Sequence, residues 1–210
     1  MGELSRQERE RRRHKRLMLE AAEELFSRQG YHSTTMKEIA RAAEFSVGAL
    51  YNMFEGKQAL YLELINLRCS QYYELVFEKL DSLENPVDQL RAVVDTKMDF
   101  FREQHRKFFR IFRNLVTQDK PLATPSMSEE WRRGYESYLE RLGEVVRNGI
   151  DQGEFVDKPA PLLVVSLEGV TNAIIASWVR GTDEQLEGIS SEDVGGVILH
   201  GVMKENSSYV

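Results

Sequence analysis

Four histidines (His14, His32, His105 and His200) and one cysteine, Cys69, are the side chains most able to act as bases, nucleophiles or metal ligands. None falls at a metal-ligand spacing, and a lone cysteine excludes both an internal disulfide and a cysteine-based metal site. The sequence has no G-x-S-x-G, no phosphate-binding glycine loop and no H-E-x-x-H. Bond-breaking chemistry needs a nucleophile, a base and a stabiliser that converge. The chain therefore reads as a non-enzyme, with no catalytic residues, metal or cofactor. Residues 33–60, "STTMKEIARAAEFSVGALYNMFEGKQAL", hold chemistry of another kind. Thr35, Ser46, Tyr51, Asn52 and Lys57 offer hydroxyls, an amide and an ammonium, groups that hold a ligand rather than transform one.

Two short elements must position these groups. Thr35 to Glu38, "TMKE", has the form of a capping box, which predicts a helix starting at Met36 with Met36, Ile39, Ala40 and Ala43 on its apolar face. Ser46 is a second N-cap, opening a helix across Val47–Asn52 after a link of only Glu44 and Phe45. Two short helices joined by a tight turn make a helix-turn-helix. Helices this short are marginal alone. Met18, Ala21, Ala22, Leu25 and Phe26 supply an amphipathic first helix to pack them on, ending at Gly30. The exposed face of the second short helix carries Val47, Gly48, Ala49 and Asn52, small at its start. Small residues let a helix backbone sink into a DNA major groove.

The charge distribution agrees with an anionic partner met locally. The 210 residues carry a formal charge of −6, yet residues 1–60 hold eleven Lys/Arg against nine Asp/Glu, which leaves −8 on the rest. Seven of those eleven basic residues lie between Arg6 and Arg16. A basic arm on an acidic body suits a local anionic surface; a solvated helix start is the plain alternative. No secretory leader is visible, and no apolar run approaches the ~18 residues of a membrane span. The expectation is a cytoplasmic protein with no membrane partner.

Beyond residue 57 the apolar spacing is helical throughout. A long helix is predicted from about Lys57 to Leu83. Another opens with Asn85 as N-cap and Pro86 in its first turn, and runs to about Gln104. "RKFFRIFRNLVTQ" suggests a shorter helix and "DKPLATP" a loop. A stripe of Trp131, Tyr135, Tyr138, Leu142, Val146 and Ile150 marks the next helix, closed by Gly153. Residues 160–181 are apolar nearly all round, and 194–203 follow in kind. A helix apolar on every side must be buried on every side. Packing against a second copy and a central core position within one chain both meet that need.

"GYHSTTMKEIARAAEFSVGALYNMFEGKQALYLEL" resembles the N-terminal domain of the TetR family of bacterial transcriptional regulators. The matching positions include Ala21, Ala22, Leu25, Phe26, Gly30, Tyr31, Thr34, Thr35, Ile39, Ala40, Ala43, Ser46, Gly48, Leu50, Tyr51, Phe54, Lys57 and Leu60. The resemblance implies an all-α homodimer with a three-helix DNA-binding domain and a larger helical domain for ligand binding and dimerisation through its last two helices. It implies that Thr35, Tyr51 and Lys57 hold phosphates, that Val47, Ala49 and Asn52 face base edges, and that Leu50 and Phe54 are core. One departure stands out: Glu44 and Phe45 replace the family's usual Gly and Val. If position 44 is left-handed, its Cβ costs roughly 1 kcal/mol.

The expected division is therefore 1–57 for DNA binding, with the helix-turn-helix at about 35–54, and 58–210 for ligand and dimer. DNA-binding positions are Thr35, Ser46, Val47, Gly48, Ala49, Tyr51, Asn52 and Lys57. Candidate effector contacts are Phe101, Phe108, Phe112, Tyr135 and Tyr138, suiting a small apolar or aromatic molecule, with Arg110 or Arg113 reading a polar end. Leu167, Ile174, Trp178 and Val197 are candidates for the dimer interface. The function expected is a repressor that binds an inverted-repeat operator in double-stranded DNA and is released by its effector. An all-α dimeric protein-interaction module with a structural helix-turn-helix is the alternative.

Overall fold

The computed structural model describes residues 5–101, 129–180 and 188–203. Among these residues there are eight helices: α1 (Arg6–Ser33), α2 (Met36–Ala42), α3 (Val47–Met53), α4 (Lys57–Ser82), α5 (Pro86–Asp99), α6 (Glu129–Asp151), α7 (Ala160–Arg180) and α8 (Ser191–Val202). The expected helix at "RKFFRIFRNLVTQ" and the loop at "DKPLATP" lie outside the described residues, as do Phe108, Arg110, Phe112 and Arg113.

Local chemistry sets the boundaries. The Ser5 hydroxyl caps α1 and Glu8 closes the box. α1 breaks at Gly30, whose φ of 83° and ψ of 162° suit only glycine, and the Thr34 hydroxyl donates to the freed Gly30 carbonyl. Thr35 and Glu38 cap α2 reciprocally, Ser46 caps α3, and Asn85 accepts from Val87 and Asp88 at the head of α5.

The chain divides into two compact units. Within the described residues, the first runs to Arg68 and the second comprises Cys69–Phe101 together with 129–203. The division falls inside α4, eleven residues beyond the expected 57/58 boundary. Its first turns bury Leu60, Tyr61, Leu64 and Ile65, and the Tyr61 ring meets Phe26 and Tyr31. Those rings make α4 part of the core formed by Met18, Ala22, Phe26, Ile39, Ala40, Leu50 and Phe54. Arg68 pairs with Glu23 across that core.

In the second unit, α5 inserts Val87, Leu90, Val93, Val94 and Met98, α6 inserts Tyr138, Leu142 and Val146, and α7 inserts Leu163, Val164, Leu167 and Ile175. One sequence expectation needs correction on α7. Its Ala160–Trp178 stretch is long and apolar enough, by length and composition alone, to cross a membrane. Ser166, Glu168, Thr171 and Asn172 interrupt the run and hide it from a search for unbroken apolar residues. Its own chain leaves part of α7 uncovered: Leu162 and Val165 are exposed, the latter by 68%.

Candidate nucleic-acid interface and buried polar core

The turn between α2 and α3 aims the reading surface. Phe45 N–H donates to the Ala40 carbonyl at 2.9 Å and Glu44 N–H to the Arg41 carbonyl at 3.2 Å. This is a Schellman closure, in which the residue after the C-cap is left-handed. That residue is Glu44, at φ 60°. A side chain thus sits where glycine is favoured, at a cost of roughly 1 kcal/mol. The Phe45 ring leaves the turn to meet His14 of α1 edge-on, with centroids 4.9 Å apart.

Next to this turn, α3 buries Leu50 and presents its other face. Val47 is 38% and Tyr51 53% exposed, Gly48 and Asn52 are exposed, and Ala49 is half-buried. The Ser46 hydroxyl accepts from Ala49 N–H at 3.1 Å, so its part here is to start the helix. Exposed Thr35 donates its hydroxyl to Glu38 at 2.7 Å, and that bond lowers the Glu38 pKa. The face is shallow at its N-terminal end and carries one amide able to donate and accept at once. That is the pattern an adenine edge requires.

Lys57 stands apart from the expectation. Its ammonium donates to the carbonyls of Tyr31 at 2.7 Å, Thr34 at 2.8 Å and His32 at 3.3 Å. It also lies 4.4 Å from the Tyr31 ring centroid. All three N–H donors of the ammonium are engaged, leaving none for a phosphate in this conformation. Burial pushes its pKa down, offset in part by Glu38. Lys57 here ties the start of α4 to the α1–α2 junction.

The second unit holds a polar chain in an aromatic core. Tyr138 donates to Glu168 Oε1 at 2.7 Å, so its own oxygen accepts from the Tyr72 hydroxyl at 3.1 Å. Lys97 Nζ donates to the same Glu168 oxygen at 2.9 Å. All four side chains are buried. Burial pushes the Lys97 pKa down, with Glu168 opposing, and raises the Tyr72 and Tyr138 phenols well above their ordinary value. The rings of Tyr73, Phe100, Phe101 and Tyr135 surround them. Of the expected effector residues, Phe101, Tyr135 and Tyr138 gather here. Sequence reasoning missed Lys97 and Glu168 in this role. The signal available was a charge at a buried position of an apolar stripe, Lys97 beside Val93 and Val94, and Glu168 beside Val164 and Leu167. Replacing such a pair with apolar residues is often neutral or stabilising, so stability alone does not account for it.

Of the expected interface residues, Leu167 is only 2% exposed within its own chain, Ile174 and Trp178 are half-buried, and Val197 is 69% exposed.

Residues 18–64, which contain the helix-turn-helix, match the family model of bacterial regulatory proteins, tetR family. This stretch is similar to that of TetR-family transcriptional regulators. The chain is 34% identical over 131 residues to the HTH-type transcriptional regulator HbdR of Aromatoleum sp. (strain CIB). That match covers 58% of this chain and just over half, 56%, of the relative. Solved structures share the fold along most of the chain. FadR from Bacillus subtilis in complex with stearoyl-CoA has a TM-score of 0.72 at 19% identity, covering 88% of this chain and 97% of that one. AibR in complex with isovaleryl coenzyme A and operator DNA has a TM-score of 0.67 at 20% identity, covering 90% and 98%.

Proposed function

We propose that this chain is a ligand-responsive repressor of the TetR family that binds an inverted-repeat operator as a homodimer and is released by a small apolar or aromatic effector. The observation that carries the reading is the exposed α3 face, where Val47, Gly48, Tyr51 and Asn52 stand clear beside a closed turn. Val47 and Ala49 offer apolar contact to a thymine methyl, Asn52 a bidentate pair to adenine, and Tyr51 and Thr35 hydroxyls to phosphate. α7 and α8 offer Leu162, Val165, Val170 and Val197 to a second copy. The effector's polar end is read by the Tyr72–Tyr138–Glu168–Lys97 chain, its apolar body by Phe101 and Tyr135. Proteins of this fold that hold an acyl-CoA or operator DNA give the reading precedent.

The test is selection from a random duplex pool. An inverted repeat with half-site centres about one helical turn or somewhat more apart is expected. Enrichment of no sequence, with full dimer present, would instead favour a protein-interaction module.

A further inference from the structure

We infer that the first turns of α1 form a second DNA-binding element, which clamps backbone phosphates beyond the half-site read by α3. The inference rests on the DNA-binding reading above and adds a site to it.

From Ser5 to Arg13 every residue of the chain is exposed, and the first buried residue of α1 is Met18. At about 1.5 Å per residue this is a solvent-exposed helical rod of roughly 13 Å. A helix polar all round gains nothing from packing, and a segment this short is marginal on its own. Even so, its start is sharply defined. The Ser5 hydroxyl accepts from Glu8 N–H at 3.2 Å, and Glu8 Oε2 accepts from Ser5 N–H at 2.8 Å. The same contact occupies Glu8, with its pKa lowered first by the Ser5 bond and less by Arg12.

Between Arg6 and Arg13 lie five arginines and two glutamates, a net +3 on a chain of −6. Among the described residues, Arg6, Arg11 and Arg13 make no ion pair within the chain. Farther along α1 the basic groups are used differently: Lys15 pairs with Glu63, and Arg16 with Glu20. Arg28, Lys37 and Arg41 are exposed as well, so what sets the projecting turns apart is the density of their charge, five arginines in eight residues.

Position makes this a DNA element rather than a solubilising one. His14, the first residue after the projecting run, meets Phe45 ring to ring. Phe45 immediately precedes Ser46, the cap of α3. The arginine rod thus departs from the point where the reading helix begins. Phosphates follow one another at about 3.4 Å of axis per strand, so the rod and its flexible side chains span roughly four. Guanidinium groups hold phosphate oxygens without regard to base. The rod would lengthen the footprint and add affinity that salt weakens.

The experiment compares wild type with a variant carrying Arg6→Gln, Arg9→Gln, Arg11→Gln, Arg12→Gln and Arg13→Gln. Glutamine keeps helix propensity, and no buried side chain changes, so an unaltered melting curve is expected as a check. Affinity is measured from 50 to 300 mM salt on a selected duplex and on its scrambled version. With two phosphate contacts per arm and two arms, the slope of log K against log salt should flatten by about 3.6. The loss should be similar on both duplexes, and the matching five-lysine variant should restore it. An unchanged slope with wild type binding normally overturns the clamp and leaves the DNA reading standing. Loss only on duplexes with A·T-rich flanks, not rescued by lysine, overturns phosphate clamping in favour of minor-groove reading. Wild type that binds neither duplex overturns the clamp and the DNA reading together.

Discussion

Lys57 Nζ sits 2.7 Å from the main-chain carbonyl of Tyr31 and 4.4 Å from the centre of the same residue's ring. One lysine thus closes the end of α1, where Gly30 has broken the helix, and holds the carbonyls of His32 and Thr34 besides. Hydrogen bonds from charged donors contribute about 1.5–3 kcal/mol each, and the partly exposed setting keeps the net toward the low end. Lys57→Met should lower unfolding free energy by about 2 kcal/mol in a denaturant titration. The salt dependence of DNA binding should hardly move. A slope that falls by about 1.8, one contact per subunit, with stability intact would return Lys57 to phosphate contact.

Glu44 is the one residue type in the turn that its backbone disfavours. Glu44→Gly removes the left-handed strain at φ 60° and an acid from beside the DNA-facing helix. Stability should rise by up to about 1 kcal/mol, less whatever the freer glycine adds to unfolded-chain entropy. Operator affinity should rise with it. Thermal unfolding and a binding titration on the same preparation read both effects, and a destabilised variant would show that the Glu44 side chain makes a compensating contact.

Asn52→Ala isolates reading from positioning. Its exposed amide is the bidentate group on the α3 face, so its loss should cost about 1–3 kcal/mol on the preferred site. Preference should relax at one base pair per half-site, with scrambled duplex bound as before. Uniform weakening across all sequences would make Asn52 a backbone contact.

How much of this could be read along the chain depends on how far apart the partners lie. Thr35, Ser46 and Asn85 announce their helices because a cap and its targets are two or three residues apart. The demand on position 44 was legible too, as a departure from glycine in a known corner. Lys57 was not. Its acceptors are carbonyls 23 to 26 residues back, and a carbonyl has no letter in the sequence. Lys97 and Glu168 are 71 residues apart, and each looked like an isolated charge on an apolar stripe. The sequence of α7 showed that it was apolar nearly all round but not which side its own chain would cover.

High pH should attack the second unit through its phenols. Burial raises Tyr72, Tyr73 and Tyr138 above the ordinary value near 10. In the first unit it raises Tyr61 likewise. The folded state therefore keeps protons that the unfolded chain releases above pH 10. Stability from this source is complete below that pH and is lost as pH climbs toward the raised values. Phenolate absorbance from these residues should appear together with loss of helical circular dichroism, in one transition. Their ionisation ahead of unfolding would mean that water reaches the Tyr72–Tyr138 pair in the native state.

The proposed dimer would close through the exposed face of α7 and α8. Trp178 is half-buried in its own chain, so a change there would disturb the monomer as well as any interface. Val165 and Val197 are cleaner, at 68% and 69% exposed with no role in the chain's own core. Val165→Arg combined with Val197→Arg should leave the melting of a single chain nearly unchanged. In a dimer closed through this face the two substitutions would bury unpaired charges, costing several kcal/mol, enough to separate subunits of ordinary affinity. Operator binding should fall steeply, because one half-site contact is weak without its twin. An effector would act through the same linkage, shifting operator affinity only as far as it binds one arrangement of the two reading helices more tightly than the other. Sedimentation beside an operator titration separates the possibilities. A double variant that remains a dimer places the interface elsewhere, and a folded monomer with wild-type operator affinity would overturn the two-fold mechanism.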